Sequence, residues 1–333
     1  MLALGLCAVA WFIHATEAHA QPREFEPGSV LVFPFFDARP GKLSIITVTN
    51  VNTSRKVSPN NFRGGDVQVH YYYIDGQECL EFNRSEFLTP GDTLSVLASE
   101  HNPEGTYGYL YVVAEDPETE ETIDYDYLVG DEIVFDSRLG FVWQVPAISF
   151  QALPATDPDL IGAEVSGSGH FLTESVVNGG TVNGLLDFDG MEYAAFPDRL
   201  IVSSFLQQGA KATDQLILFS PGNPQLSVNP QFVIFNNQED RYSRGFVFKC
   251  FWTGPLEAIS NVVKNLGGDS REFGPPSVET GWMVIDGDSG FYPGSGTTVN
   301  DPPILGMIVR SFGSGSMGTA TLLHHIGTQS ARF

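Results

Sequence analysis

The sequence predicts an all-β protein made of two antiparallel β-sandwich domains. Short runs rich in β-branched and aromatic residues alternate with turn residues, as in residues 30–36 and 43–49 on either side of Pro40-Gly41. No run in the first half repeats apolar residues at helical spacing over three turns. Because strands do not alternate with helices, an antiparallel sandwich is the expected architecture.

Length and composition fit two globular domains. The chain has 333 residues, of which 42% are hydrophobic and 12% aromatic, so it can fill sizeable cores. The best helix candidate spans residues 255–266, with Pro255 at its start and Gly267 after its end. We expect that helix to be short.

The second half of the chain echoes the first. Four landmarks recur in the same order, 171 to 176 residues apart: Leu43 with Leu216, Cys79 with Cys250, Gly108 with Gly281, and Leu128 with Ile304. A period this long predicts domain duplication, although any two β-domains share some such features. We place one sandwich at residues 21–153 and the other at 196–333. The Gly/Ser-rich segment 154–195 is either a linker or a hairpin insertion.

Three stretches suggest a resemblance at the level of the fold. They are ITVTN at 46–50, LTPGDTLS at 88–95 and GYLYVVAED at 108–116, with a cysteine-bearing strand before the second. This succession resembles the immunoglobulin-like sandwiches of exported bacterial proteins. The Cys…Trp…Cys signature of true immunoglobulin domains is missing within either half. The resemblance therefore implies a fold and no functional residue.

Residues 1–20 predict a signal peptide. The apolar run Leu2–Ile13 has the length of a signal-peptide core, and Ala18-His19-Ala20 fits a cleavage site before Gln21. The run is too short for a transmembrane helix, and we expect no other membrane span. We therefore expect a secreted protein, extracellular or on the cell surface, with the periplasm as an alternative. There, Cys79 and Cys250 form a disulfide or remain buried thiols.

A net charge of −23 makes nucleic acid an improbable partner, because phosphates would be repelled. It is compatible with divalent cations. Asp187 with Asp189, and Asp286 with Asp288, place two carboxylates at i and i+2 in loops, a spacing that suits calcium. The alternative is that these loops serve solubility and that the protein has no cofactor.

Tyrosines concentrate in the first half. Strand alternation places Tyr71 and Tyr73 on one face, and Tyr107, Tyr109 and Tyr111 on one face of another strand. Exposed together, they would form a stacking platform for a glycan or for another surface protein. Otherwise they pack a sandwich core or the interface between the halves.

Residues 287–290 read GDSG, the tetrapeptide around the nucleophile of trypsin-like serine proteases. No matching histidine motif surrounds His70, His101 or His170, so Ser289 lacks the expected base. We predict a non-enzymatic secreted protein with a surface, extracellular-matrix or adhesion role. The alternatives are a calcium-dependent glycan- or peptide-binding module and a hydrolase with an unrecognised site.

Overall fold

The computed structural model describes residues 26–54, 65–102, 106–118, 120, 122–136, 141–153, 176–177, 180–181, 188, 193–206, 212–221, 225–264, 280–293, 296–312 and 317–328. This part of the chain is all-β and antiparallel, which confirms the predicted fold class. The predicted signal peptide lies outside the described residues.

The first sandwich has two sheets. Its elements are β1 (Val30–Asp37), β2 (Lys42–Asn50), β3 (Val67–Asp75), β4 (Glu81–Leu88), β5 (Thr93–Leu97), α1 (Ala98–His101), β6 (Tyr107–Glu115), β7 (Leu128–Asp136), β8 (Phe141–Pro146) and β9 (Ile148–Phe150). Sheet I has the strand order β5-β2-β7-β8, and sheet II has the order β4-β3-β6-β1-β9. A hairpin of β10 (Val176–Val177) and β11 (Gly180–Thr181) lies between the sandwiches in sequence.

The second sandwich also has two sheets. Its elements are β12 (Arg199–Leu206), β13 (Ala212–Phe219), β14 (Ser227–Asn236), β15 (Arg241–Gly245), β16 (Phe248–Lys249), β17 (Phe251–Pro255), α2 (Leu256–Ile259), a 3₁₀ turn (Asn261–Lys264), β18 (Thr280–Phe291), β19 (Thr298–Asn300), β20 (Leu305–Phe312), β21 (Met317–Leu322) and β22 (His324–Ile326). Sheet III has the order β17-β13-β20-β21. Sheet IV has the order β15-β14-β18-β12-β22, with β16 beside β14 and β19 beside β18. The expected helix is present only as α2 and the 3₁₀ turn.

The two sandwiches share one topology. Sheet III repeats the strand order of sheet I, and sheet IV repeats that of sheet II, with the short helices α1 and α2 after equivalent strands. The first strand of each sandwich carries a bulge, between Phe33 and Phe36 in β1 and between Val202 and Phe205 in β12. A shared strand order with bulges at equivalent places is what a duplication produces.

Only half of the landmarks that suggested duplication are equivalent in the structure. Gly108 and Gly281 each pair with the phenylalanine after the bulge. Leu128 and Ile304 are also equivalent, because the glycines two residues after them, Gly130 and Gly306, pair with equivalent positions of β2 and β13. The cysteine landmark was wrong, because Cys79 precedes β4 whereas Cys250 precedes β17, the counterpart of β5. Leu216 matches Ile46, three residues beyond the expected Leu43.

The sheets stack in four layers, in the order I, II, III, IV. One apolar cluster fills the space between sheets I and II, and another fills the space between sheets III and IV. A third cluster joins the two sandwiches, because Val32 and Tyr109 of sheet II share it with Ile217 and Met307 of sheet III. The inner strands of sheet II are therefore buried on both faces, which explains why all eight residues of β1 are buried, whereas the edge strand β4 is largely exposed.

The segment between the sandwiches contributes to this third cluster. Phe188 and Tyr193 are buried there, with Phe188 against Phe150 at a ring-centroid distance of 5.0 Å. Ala152 forms a bridge with Tyr193, so the chain leaves the first sandwich beside the place where it enters the second.

A disulfide also joins the two sandwiches. Cys79 and Cys250 are bonded, with Cα atoms 6.2 Å apart. Both are buried, and both have a left-handed backbone conformation (φ 58° and 44°). The bond lies at the edge of the third cluster, where Phe251 packs against Phe35 at 6.3 Å between ring centroids.

Candidate binding face

The outer face of sheet IV carries apolar side chains on four of its strands, with the polar residues Arg199 and His324 between Ile326 and the others. Alternation along β12, β14, β18 and β22 turns one residue in two away from the core. We define the exposed apolar face by six of these outward residues: Ile201, Val233, Phe235, Trp282, Val284 and Ile326. Phe235 is the cross-strand partner of Trp282. Val284 is the cross-strand partner of both Val233 and Ile201.

An aromatic pair lies at one end of this face. The rings of Phe235 and Trp282 are stacked, with centroids 4.4 Å apart and planes 9° from parallel. Trp282 is still 39% exposed and Ile326 is 44% exposed. Among the described residues, no second sheet covers this face.

The equivalent face in the first sandwich is covered. Tyr109 follows Gly108 as Trp282 follows Gly281, yet Tyr109 is 2% exposed because sheet III lies over it. Its ring stacks on Phe219 at 4.5 Å. The same structural position is thus an internal interface in one sandwich and an exposed surface in the other.

Charged groups border the exposed apolar face. Arg199 on β12 donates to Asp286 (Nε to Oδ2, 2.8 Å) and lies 3.4 Å from an Asp198 oxygen. Burial, and then the neighbouring carboxylates of Asp286 and Asp198, raise the pKa of Asp301 to about 6. Arg241, opposite Phe235, is exposed. An apolar centre with a charged rim is the usual anatomy of a protein–protein contact surface.

The predicted tyrosine platform is wrong. Tyr71, Tyr73, Tyr109 and Tyr111 are each at most 2% exposed, and Tyr107 is half-buried. Tyr71 and Tyr73 pack between sheets I and II, whereas Tyr109 and Tyr111 pack between sheets II and III. Burial raises the pKa of all four phenols well above its ordinary value. These four buried tyrosines stabilise the cores and offer no surface to a ligand.

The predicted metal residues fall in two places. Asp187 and Asp189 lie outside the described residues. Asp286 accepts from Arg199, and its other oxygen accepts the backbone N–H of Asp288 (3.1 Å). In the described part of the chain, no group of three or more His, Cys, Asp or Glu is arranged to hold a metal ion. Structural calcium stays a prediction, for Asp187 with Asp189 and for Asp286 with Asp288.

The serine of the GDSG sequence is engaged with an aspartate. Ser289 Oγ donates to Asp288 Oδ2 at 3.2 Å, and both residues lie on β18 beside the exposed apolar face. A nucleophilic serine would instead need a histidine at this distance.

One hydroxyl–imidazole–carboxylate chain does occur in the first core. Tyr73 Oη lies 2.8 Å from His101 Nδ1, and His101 Nε2 lies 3.3 Å from Glu86. Tyr73 is 1% exposed, so its hydroxyl has no room for a substrate. Burial lowers the pKa of His101, which favours the neutral ring inside the core.

A cavity of about 60 Å³ lies beside the bulge of β12, lined in part by Ser203, Ser204, Arg310 and Thr319. Its counterpart in the first sandwich is filled by Phe35 and Trp143, whose ring centroids are 6.2 Å apart. Small-molecule sites are usually at least ~300 Å³, so this cavity has room for water and little else.

Sequence reasoning missed the exposed apolar face. Neither Trp282, which follows the landmark Gly281, nor Phe235 was predicted to bind a partner. The alternation of apolar residues along β14 and β18 is visible in the sequence, but it does not say whether a second sheet covers the outer face.

Comparisons with known proteins add little. No protein-family model matches the chain, and no curated protein matches it. Among solved structures, one match is the secreted serine protease VesC from Vibrio cholerae, at 10% identity and a TM-score of 0.17. The match covers 85% of this chain and 48% of that one, so the chain spans about half the length of the protease. A likeness at this level carries no argument about fold or function. The immunoglobulin-like resemblance stays a prediction.

The described residues include no helix with the length and apolar character needed to cross a membrane.

Proposed function

We propose that this chain is an exported, non-enzymatic β-sandwich protein that acts by contact, in a surface, extracellular-matrix or adhesion role. Its contact surface is the exposed apolar face of sheet IV. One observation carries the proposal: no described part of the chain covers this face, whereas the equivalent face of sheet II is a buried interface between sheets. Contiguous exposed apolar surface on a folded protein usually marks a binding site.

Export is supported by two features. Residues 1–20 have the pattern of a signal peptide. The bond between Cys79 and Cys250 requires an oxidising compartment to persist.

A non-enzymatic role is supported by the placement of the reactive groups. Ser289 donates to a carboxylate, and the hydroxyl of Tyr73 is enclosed in the core. Within the part of the chain that the structure describes, neither has both a base and access to a substrate, which nucleophilic catalysis requires.

The test is the distribution of the full chain between cells and medium in a bacterial host that exports it. Trp282→Arg places a charge on the exposed apolar face, at its aromatic end. Phe87→Arg is the matched control, because Phe87 is an exposed aromatic residue (52%) outside that face. We expect Trp282→Arg to release the protein into the medium and Phe87→Arg to leave it on the cells. Equal retention of both variants and the wild type would contradict the proposal, provided that their melting temperatures agree.

A further inference from the structure

We propose that the side chains of Lys42 and Asp136 become joined by a covalent amide bond, which the folded chain forms by itself with the loss of one water molecule. The two residues are direct cross-strand partners on β2 and β7, the central strands of sheet I. The ammonium group of Lys42 is in contact with the carboxylate of Asp136. This inference does not depend on the proposed function, because it concerns the inner face of sheet I rather than the exposed apolar face.

Both side chains of this pair are buried. The side chain of Lys42 is 9% exposed and that of Asp136 is 6% exposed. Taking two charges out of water costs free energy, which their mutual attraction does not always offset. Transfer of the proton from the ammonium group to the carboxylate removes both charges. It leaves an uncharged amine beside a carboxylic acid, and these are the two forms that condense to an amide.

The same inner face holds another carboxyl group in its uncharged form. Glu132 lies on β7 two inward positions before Asp136, and it is fully buried. Burial raises the pKa of Glu132 well above its ordinary value. This part of the core therefore favours a neutral acid over a carboxylate, as the reaction at Asp136 requires.

The second sandwich has a buried ion pair on the corresponding face, with arginine as its cation. Arg310 and Asp214 are cross-strand partners on β20 and β13, one inward position away from the equivalents of Lys42 and Asp136. Arg310 donates to Asp214 twice, from Nε at 2.7 Å and from Nη2 at 3.0 Å. A guanidinium group keeps its proton and suits such a permanent pair. A buried lysine loses its proton readily and then acts as a nucleophile, so the first pair has the chemistry for amide formation and the second does not.

The reaction balances without another reagent. The uncharged Nζ of Lys42 attacks Cγ of Asp136, the bond from Cγ to the hydroxyl oxygen breaks, and the hydroxyl leaves as water with a proton from the amine. Nothing is oxidised or reduced, and the net charge of the chain is unchanged because one positive and one negative group are lost together. Contact between the two groups supplies the high effective concentration that such a step needs. Their burial keeps out the water that would reverse it.

Intact-mass spectrometry of the full chain, exported by a bacterial host and then reduced and denatured, tests the bond. We expect a mass lower by one water molecule than the sequence of the processed chain requires. A tryptic digest should contain one branched species that joins the peptides of Lys42 and Asp136. Lys42→Arg is the matched variant, because it keeps the positive charge and cannot condense. It should have its full sequence mass.

An exposed ion pair provides a control within the same digest. Lys264 Nζ lies 2.8 Å from Glu257 Oε2, but these side chains are 50% and 41% exposed, so we expect them to stay unlinked. A wild type with its full sequence mass after denaturation would overturn the proposal, since an ion pair does not survive unfolding and an amide does. A link between Lys264 and Glu257 would overturn it as well, because it would show that such bonds arise during sample preparation.

Discussion

Asp301 is the residue beside the exposed apolar face whose protonation is most perturbed. Asp286 and Asp198 both act on its carboxyl group, and Arg199 pairs with those two neighbours. The pKa of Asp301 in the folded protein is about 6, above its value of 3.8 when unperturbed. The folded state therefore binds the proton more tightly than the unfolded state. Its contribution to stability is complete below pH ~4 and is lost as the pH rises through about 6.

We predict that Asp301→Asn stabilises the protein at pH 7 and flattens the fall in melting temperature between pH 4 and 7. The gain should be below ~1 kcal/mol, because Asp301 is only half-buried and solvent screens part of its interaction with the neighbouring carboxylates. Asparagine also tolerates the left-handed backbone at this position (φ 52°). Asp288→Asn is the control, since Asp288 shares that backbone conformation (φ 54°) on the same side of the sandwich. If the melting temperature of Asp301→Asn depended on pH as that of the wild type does, the proposed effect of Asp301 on stability would be contradicted.

A fully buried carboxyl group shows how the two sandwiches differ at an equivalent position. Glu132 is fully buried between sheets I and II, and its counterpart in the second sandwich is Ile308. Burial raises the pKa of Glu132 well above its ordinary value, so the uncharged form is favoured in the core.

At the scale of elements, the bulged first strand and the glycine opposite it recur in both sandwiches. A Cβ on Gly108 would lie 1.9 Å from the carbonyl oxygen of Ile74, and one on Gly281 would lie 2.6 Å from that of Phe235. The close approach of strands at this point leaves room only for glycine. It also fixes the next residue, Tyr109 or Trp282, on the outer face of its sheet.

We predict that replacing Tyr109 by alanine destabilises the protein much more than replacing Trp282 by alanine. Tyr109→Ala removes the stack on Phe219 inside the interface between the sandwiches and should cost ~3–5 kcal/mol in the free energy of unfolding. Trp282→Ala at the equivalent exposed position should lower the free energy of unfolding much less. It loses the stack on Phe235 and, apart from that stack, less than ~1 kcal/mol. Urea unfolding of both variants measures the difference. Similar losses for the two would mean that the sheet II and sheet III contact contributes little.

At the scale of the whole molecule, the disulfide fastens two sandwiches that already share a core. Cys79 and Cys250 are separated by 171 residues in sequence, so the bond restricts a long loop of the unfolded chain. Replacing both by serine should lower the stability of the protein by about 2–5 kcal/mol. Each sandwich should keep its β-sheet circular dichroism, because its own core is intact.

Thermal melts with and without a reductant measure this effect. The wild type melted in reductant should approach the double serine variant melted in buffer. The double variant itself should be insensitive to the reductant. A wild type that melts at the same temperature under both conditions would indicate that the shared core alone holds the sandwiches together.

The alternation of strands and turns along the sequence determined that this chain is all-β. The two faces of a strand follow from the alternation of its own residues. The sequence did not determine which of these faces is buried. Tyr71 and Tyr73 are enclosed by the core between sheets I and II, whereas Tyr109 and Tyr111 are enclosed by the core between the sandwiches. Tyr109 is buried and Trp282 is exposed, because a second sandwich lies over Tyr109 alone. That difference arises from contacts between residues more than 100 positions apart, such as Tyr109 with Ser220. The order of four sheets decided it, because the burial of an outward face depends on what packs against it rather than on its own sequence.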